Sequence, residues 1–349
     1  MENDPPQPPH DAGRKAGPAV TLVLVLPFPP QITMRLLCFG RGLLLGTILS
    51  VLFAGPTAAQ PRPEGGALSG DRYRVLISTD LGGLDEDDHQ SMVHLLLYSD
   101  LFDLEGLVSS PPADGRMGDI LDVIDVYAKD YPTLRTHSQE YPSPDRLRSI
   151  TKQGATDPAP DRGWSHSTPG SDWIIEQAHE ADSRPLYVLV WGSITDVAQA
   201  VHDAPSIKDD IRVYFIASWN RRQDPAAYRY LNKHHPDLWM VYSNTTFRGW
   251  YRGGTQDSDL GNESFVQRHV KGHGALGELF VELEPHGQEG IKMGDTPSVA
   301  YLLRGDPADP TGPHWGGRFV PHPEGRPNWW VDDPDSTWQV ADRPGARTV

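Results

Sequence analysis

Cysteine is nearly absent from this chain of 349 residues. The sole one is Cys38, so no intrachain disulfide can form and dithiol redox chemistry is excluded. Basic residues are scarce as well: 31 lysines and arginines stand against 47 aspartates and glutamates, a net charge of −16. That deficit excludes a nucleic-acid polymer as partner, because such binders draw most of their affinity from clustered cations. Long apolar runs are missing too. The most apolar stretch, residues 43–53, falls well short of the roughly 20 residues that span a bilayer.

That short run belongs to a targeting pattern. Arg35 and Arg41 give it a basic start and Thr57-Ala58-Ala59 a small-residue cleavage site, the three parts of a secretory signal peptide. The expected organisation is therefore an unstructured extension or mis-started N-terminus (1–33), a signal peptide (34–59), a linker (60–70) and one domain (71–349). An uncleaved anchor is the alternative. Cys38 precedes the apolar run, which places it badly for lipid attachment. Removing residues 1–59 takes away four basic and three acidic residues, leaving a mature chain at −17. A secreted or periplasmic protein with no stable membrane anchor is expected.

Past the linker, unbroken apolar segments alternate with amphipathic ones. RYRVLIST (72–79) predicts a buried strand, and residues 88–98 a helix with Met92, Val93, Leu95 and Leu96 on its apolar face. Strand 102–110, helices 117–131 and 171–181, strand 185–192, helix 194–204, strand 211–218, helix 224–235 and strand 238–243 follow. This alternation predicts an α/β fold, a mainly parallel sheet with helices on both faces. The Trp- and Pro-rich tail, 315–338, lacks a period and is expected to be an irregular cover over the site mouth or an irregular packed edge.

Asp80, Asp85, Glu86, Asp87 and Asp88 crowd the loop that leaves the first strand. Helix N-termini favour acidic residues, so one or two of them need no function, and a solvated acidic helix start is the plain alternative. Five are too many for that account, since mutual repulsion opposes their packing unless a cation neutralises them. Gly82 and Gly83 supply the tight turn, and hard oxygen ligands without cysteine select calcium or magnesium over zinc.

These residues resemble the aspartate signature of the inosine-uridine-type nucleoside hydrolases, and in particular the nucleoside hydrolase-like branch named for a cellulose-binding protein. The resemblance spans residues 73–319. The family's Asp-x-Asp-Pro-Gly-x-Asp-Asp appears as Ser78-Thr79-Asp80-Leu81-Gly82, then a longer turn to Asp87-Asp88. It implies that Asp80 is calcium ligand and general base, Asp88 a calcium ligand, and Asp87 the group on a sugar hydroxyl. Asp85, in the inserted turn, can also fill the last role. WGSITDVAQAV resembles the segment whose threonine, here Thr195, gives its backbone carbonyl to calcium. Asn220-Arg-Arg-Gln-Asp224-Pro-Ala-Ala227 resembles the segment whose asparagine, Asn220, holds the ribose. MGDTPSVAYLL resembles the one whose aspartate, Asp295, closes the calcium shell. Three positions depart from the pattern: Gly294 replaces a leaving-group histidine of some members, Ser78 the first aspartate, and Ser218 a glutamate. Trp219, Asn244, Arg248 and Trp250 are candidates on the leaving-group side.

The implied activity is calcium-dependent hydrolysis of a small glycoside, first of all the N-glycosidic bond of a nucleoside-like substrate, by metal-activated water. The alternative is a non-catalytic module that binds cellulose or another glycan on the same fold. A metal-dependent phosphohydrolase also places aspartate at a first strand end, but the Thr195 and Asp295 matches disfavour it. His269 and His273 lack the third ligand that zinc needs. The expected partner is a small glycoside or a glycan, and a homo-oligomer is compatible with this reading. If the signal is cut as expected, mass spectrometry of the secreted protein should find Gln60 as the first residue; an intact N-terminus in the membrane fraction would instead mark an anchor.

Overall fold

The computed structural model describes residues 65–83, 87–112, 116–246, 250, 261–282 and 291–334, all within the unit Gln60–Val349. Expectations that fall on residues 1–64, on Asp85 or on Arg248 lie outside the described residues.

Strand β1 (Arg74–Thr79) leads to helix α1 (Asp87–Leu97), β2 (Asp103–Ser109), α2 (Met117–His137), α3 (Pro144–Ser149) and the two-residue β3 (Thr151–Lys152). Then come α4 (Pro169–Ala178), β4 (Leu186–Val190), α5 (Thr195–Asp203), β5 (Ile211–Ile216), α6 (Ser218–Gln223), α7 (Pro225–His234) and β6 (Met240–Ser243). Short α8 (Asn262–Phe265), α9 (Gly274–Glu282), α10 (Thr296–Leu303), β7 (Phe319–Pro321) and β8 (Trp329–Asp332) complete it. The strands form one sheet in the order β3-β2-β1-β4-β5-β6-β8-β7. Every pairing is parallel except β7 with β8.

Both faces are covered, which is why the strands read as continuous apolar runs. All six residues of β1 are buried, and alternate side chains enter different cores. Val75 and Ile77 join Leu95 of α1, Ile124 of α2, Phe280 of α9 and Leu302 of α10, whereas Leu76 joins Ile174 of α4, Val197 of α5 and Leu231 of α7. Each such buried side chain contributes about 1.5–3 kcal/mol of transfer free energy. No described helix is long and apolar enough to cross a membrane.

Two departures from the expected elements have physical causes. Helix α2 runs to His137 through Pro132, although an internal proline removes a backbone hydrogen bond and usually ends a helix. Tyr131 and Leu134 pack against the core on either side of it, and that burial offsets the lost bond. The tail, expected to be irregular, supplies two strands beyond β6, of which β7 forms the sheet edge. In β8, Trp329 pairs with Met240 and Val331 with Tyr242.

Trp329 is 1% exposed, beneath the Arg326 guanidinium at 4.9 Å from its ring. Trp329→Ala should therefore lower the unfolding free energy by about 3–5 kcal/mol, as for other buried tryptophans. Urea denaturation followed by circular dichroism checks it, and a loss under 1 kcal/mol would show that the tail strand is dispensable to the core.

Candidate functional site

The chain builds β2 and β3 on one side of β1, then crosses to build β4, β5 and β6 on the other. The strand order thus reverses between β1 and β4, and open α/β sheets bind ligands outside the carboxyl ends at such a point. Asp80 stands there, directly after β1. Its carbonyl accepts a hydrogen bond from Gly83 N at 2.7 Å, closing a tight turn in which Gly82 takes a φ of 85° that side chains disfavour. Gly192, leaving β4, serves by its small size. A Cβ there would lie 2.8 Å from Asp80 N and Cβ and 2.5 Å from Ser110 Oγ.

Helix α1 starts with Asp87 and Asp88 in its first turn, where the macrodipole favours negative charge. The Thr79 hydroxyl donates to Asp88 Oδ1 and accepts from Leu81 N at 3.1 Å, so strand end and helix start hold each other. Asp295 arrives from the far end of the domain, tied down by α1. Gln90 Oε1 accepts from Lys292 N at 2.6 Å, Gln90 Nε2 donates to the Phe280 carbonyl at 3.1 Å, and Ser91 Oγ accepts from Asp295 N at 3.2 Å. Ser298 Oγ donates to the Asp295 carbonyl at 2.7 Å and accepts from Trp191 Nε1 at 2.8 Å. The outcome is that carboxylate oxygens of Asp87, Asp88 and Asp295 all lie within 4.8 Å of one another.

Electrostatics make this arrangement costly without a counter-charge. The Asp80 carboxyl is held well above the usual carboxylate range, first by burial and then by the charges of Asp88 and Asp87. Asp80, Asp88 and Asp295 are 6%, 3% and 2% exposed, so water screens the repulsion poorly. Beside them, the buried hydroxyls of Ser110 and Thr296 find no hydrogen-bond partner among the described residues. An all-oxygen, multiply anionic donor set fits a hard divalent cation such as calcium or magnesium.

The other expected site residues are placed differently. Thr195 opens α5, and its hydroxyl donates to Asp224 Oδ2 at 2.6 Å. Asn220, 7% exposed, donates from Nδ2 to the Trp191 carbonyl and to the Ile216 carbonyl at 3.0 Å, so both amide hydrogens are committed to backbone. Trp219 stands 49% exposed at the carboxyl end of β5, with the Arg222 guanidinium 5.0 Å from its ring. Asn244 is exposed at the end of β6, whereas Trp250 is buried in the core.

A family described as "Cellulose-binding Sde182, nucleoside hydrolase-like domain" matches residues 74–319. A solved nucleoside hydrolase-related protein from Saccharophagus degradans, described as associated with carbohydrate metabolism, is 25% identical over 78% of this chain and 69% of its own, with a TM-score of 0.60. An inosine-uridine preferring nucleoside hydrolase from Bacillus anthracis is 20% identical over 79% of this chain and all of its own, with a TM-score of 0.46. An inosine-guanosine nucleoside hydrolase is 15% identical over 77% and 97%, with a TM-score of 0.49. No curated protein matches the chain.

Three acids have structural roles that the sequence did not assign. Asp332, in the tail, accepts from the backbone N–H groups of Asn244, Thr245 and Thr246 at 2.5, 2.9 and 3.2 Å, which fixes the loop carrying Asn244. Asp224 caps α7 through Ala227 N at 3.0 Å and accepts from Ala159 N at 2.9 Å; its place before Pro225 was a readable helix-start signal. Asp196, fully buried in α5, accepts from Thr168 Oγ1 at 2.7 Å and Ala155 N at 3.0 Å. Burial raises its pKa from the ordinary 3.8 to about 6 against those hydrogen bonds, with Asp224 adding to the rise.

A raised folded-state pKa means that the native state favours protonated Asp196. The resulting stabilisation is complete below about pH 4 and is lost as pH rises through about 6. Asp196→Asn should thus gain stability relative to wild type across that window, by on the order of 3 kcal/mol for a shift of about two pH units. Urea melts of both proteins from pH 4 to 8 check this, and a difference that does not vary with pH would refute it.

Proposed function

The chain belongs to the nucleoside hydrolase-like domain family of the cellulose-binding protein Sde182, and on that footing we propose that it is an exported, calcium-dependent hydrolase of a small glycoside. The N-glycosidic bond of a nucleoside-like compound is the first expectation. One observation carries the proposal: Asp80, Asp87, Asp88 and Asp295 converge on the reversal point of a parallel sheet. Export rests on the pattern of residues 34–59.

Asp80, Asp88 and Asp295 would hold the cation, with the Thr195 carbonyl as a further oxygen. Bound calcium supplies Lewis acidity toward a water and neutralises the crowded carboxylates. With its neighbours neutralised, the Asp80 carboxylate accepts the proton of the attacking water. Asn220, its amide hydrogens fixed on backbone, meets a sugar hydroxyl with its carbonyl oxygen, and Asp87 meets another. Such contacts strengthen as the sugar passes through an oxocarbenium-like state. The Trp219 ring offers a stacking face for sugar or leaving group. Gly294 brings no side chain to protonate that group, so activated aryl glycosides should react faster than purine nucleosides.

The second reading is a non-catalytic glycan-binding module, favoured by the exposed Trp219 and by the cellulose-binding description of the family. A panel of nucleosides and aryl glycosides, assayed with calcium and with chelator, separates the two. At least one should be cleaved, only with calcium. Asp80→Asn, which keeps an oxygen ligand but loses the base, should lower that rate by about 10²- to 10⁴-fold while sugar still binds. Retention on a glycan column with no cleavage of any panel member would favour the binding module.

A further inference from the structure

Gly294 and Asp87 form one geometric unit. A Cβ on Gly294 would lie 2.0 Å from Asp87 Oδ2 and 3.2 Å from its Cγ, far inside van der Waals contact. Gly294 does not adopt a positive φ, so its conformation is open to any residue and only the space demands glycine. That space is filled by the Asp87 carboxylate. From there an Asp87 oxygen stands within 4.8 Å of oxygens from Asp88 and Asp295, a separation at which three carboxylates repel unless something positive lies between them.

We propose that Asp87 is a direct ligand of the cation, a further carboxylate beside Asp80, Asp88 and Asp295, admitted because position 294 has no side chain. One of its oxygens faces the cation. The inference rests on the proposed calcium site and deepens it. The same missing side chain that removes a leaving-group acid brings one more negative charge to the metal, and ligand charge is a main determinant of calcium affinity. Gly294 is thus a positioning residue acting through Asp87.

Isothermal titration of calcium into the purified protein tests this without recourse to activity. Wild type should bind, and Asp87→Ala should bind about tenfold more weakly or worse, since one charged ligand is lost. Gly294→Ala removes no oxygen, yet should lose a comparable factor because its methyl group expels the carboxylate. In the Asp87→Ala background the Gly294 substitution should add almost nothing, the non-additivity of two residues acting through one contact. Asp87→Asn, which preserves shape, should also bind more weakly and covers the case in which Gly294→Ala does not fold. Wild-type affinity in Asp87→Ala would overturn the ligand assignment while leaving the calcium site standing. Wild-type affinity in folded Gly294→Ala would overturn the steric gate. No calcium binding by wild type would overturn this inference and the calcium reading together.

Discussion

Repulsion among buried carboxylates is the constraint around which this molecule is arranged. Asp80, Asp88 and Asp295 lie almost wholly out of water, with Asp87 against them, and a low-dielectric surround magnifies every like-charge pair. Their convergence therefore has to be imposed by the scaffold. The start of α1 fixes two of them, the Thr79 hydroxyl ties the helix to β1, and Gln90 and Ser91 draw in the segment carrying Asp295. Glycines at 192 and 294 supply the close approaches that any side chain would prevent. The rest of the fold is a rigid mount: strands buried on both faces resist the outward push because moving one disturbs two cores at once.

Much of this was legible in the sequence because it follows from local pattern. Strands buried on both faces read as unbroken apolar runs, so β1, β2, β4, β5 and β6 and most of the helices between them were identifiable, and the parallel α/β class with them. Short elements were not. Two-residue β3 and six-residue α6 are too brief to show a period, and four-residue β8 is half-exposed. Pro132 masked the last turns of α2 for a sound local reason that packing overrode.

The site divides the same way. The aspartates of the first loop and Asp295 stood out through motif order, and the structure brings Asp87, Asp88 and Asp295 together. The groups that hold them were invisible. Nothing near Gln90 announces a partner 202 positions away, and nothing near Asp332 announces the Asn244 loop. Which polar groups meet across such separations depends on the whole topology, and a single sequence carries no local trace of it. Asn220 is a middle case: its position was readable, but not the commitment of its amide to the carbonyls of Trp191 and Ile216.

The position of β8 bears on how the chain reaches its native state. This strand, at residues 329–332, inserts between β6 and β7, so β6 keeps an open hydrogen-bonding edge until almost the last described residue is available. An unpaired parallel edge beside apolar side chains is a template for pairing with other chains. Its closure joins segments far apart in sequence, which folds slowly. A partly synthesised or partly folded chain is therefore most prone to aggregate at β6, and a factor that shields this edge until β8 arrives would raise the yield of folded protein.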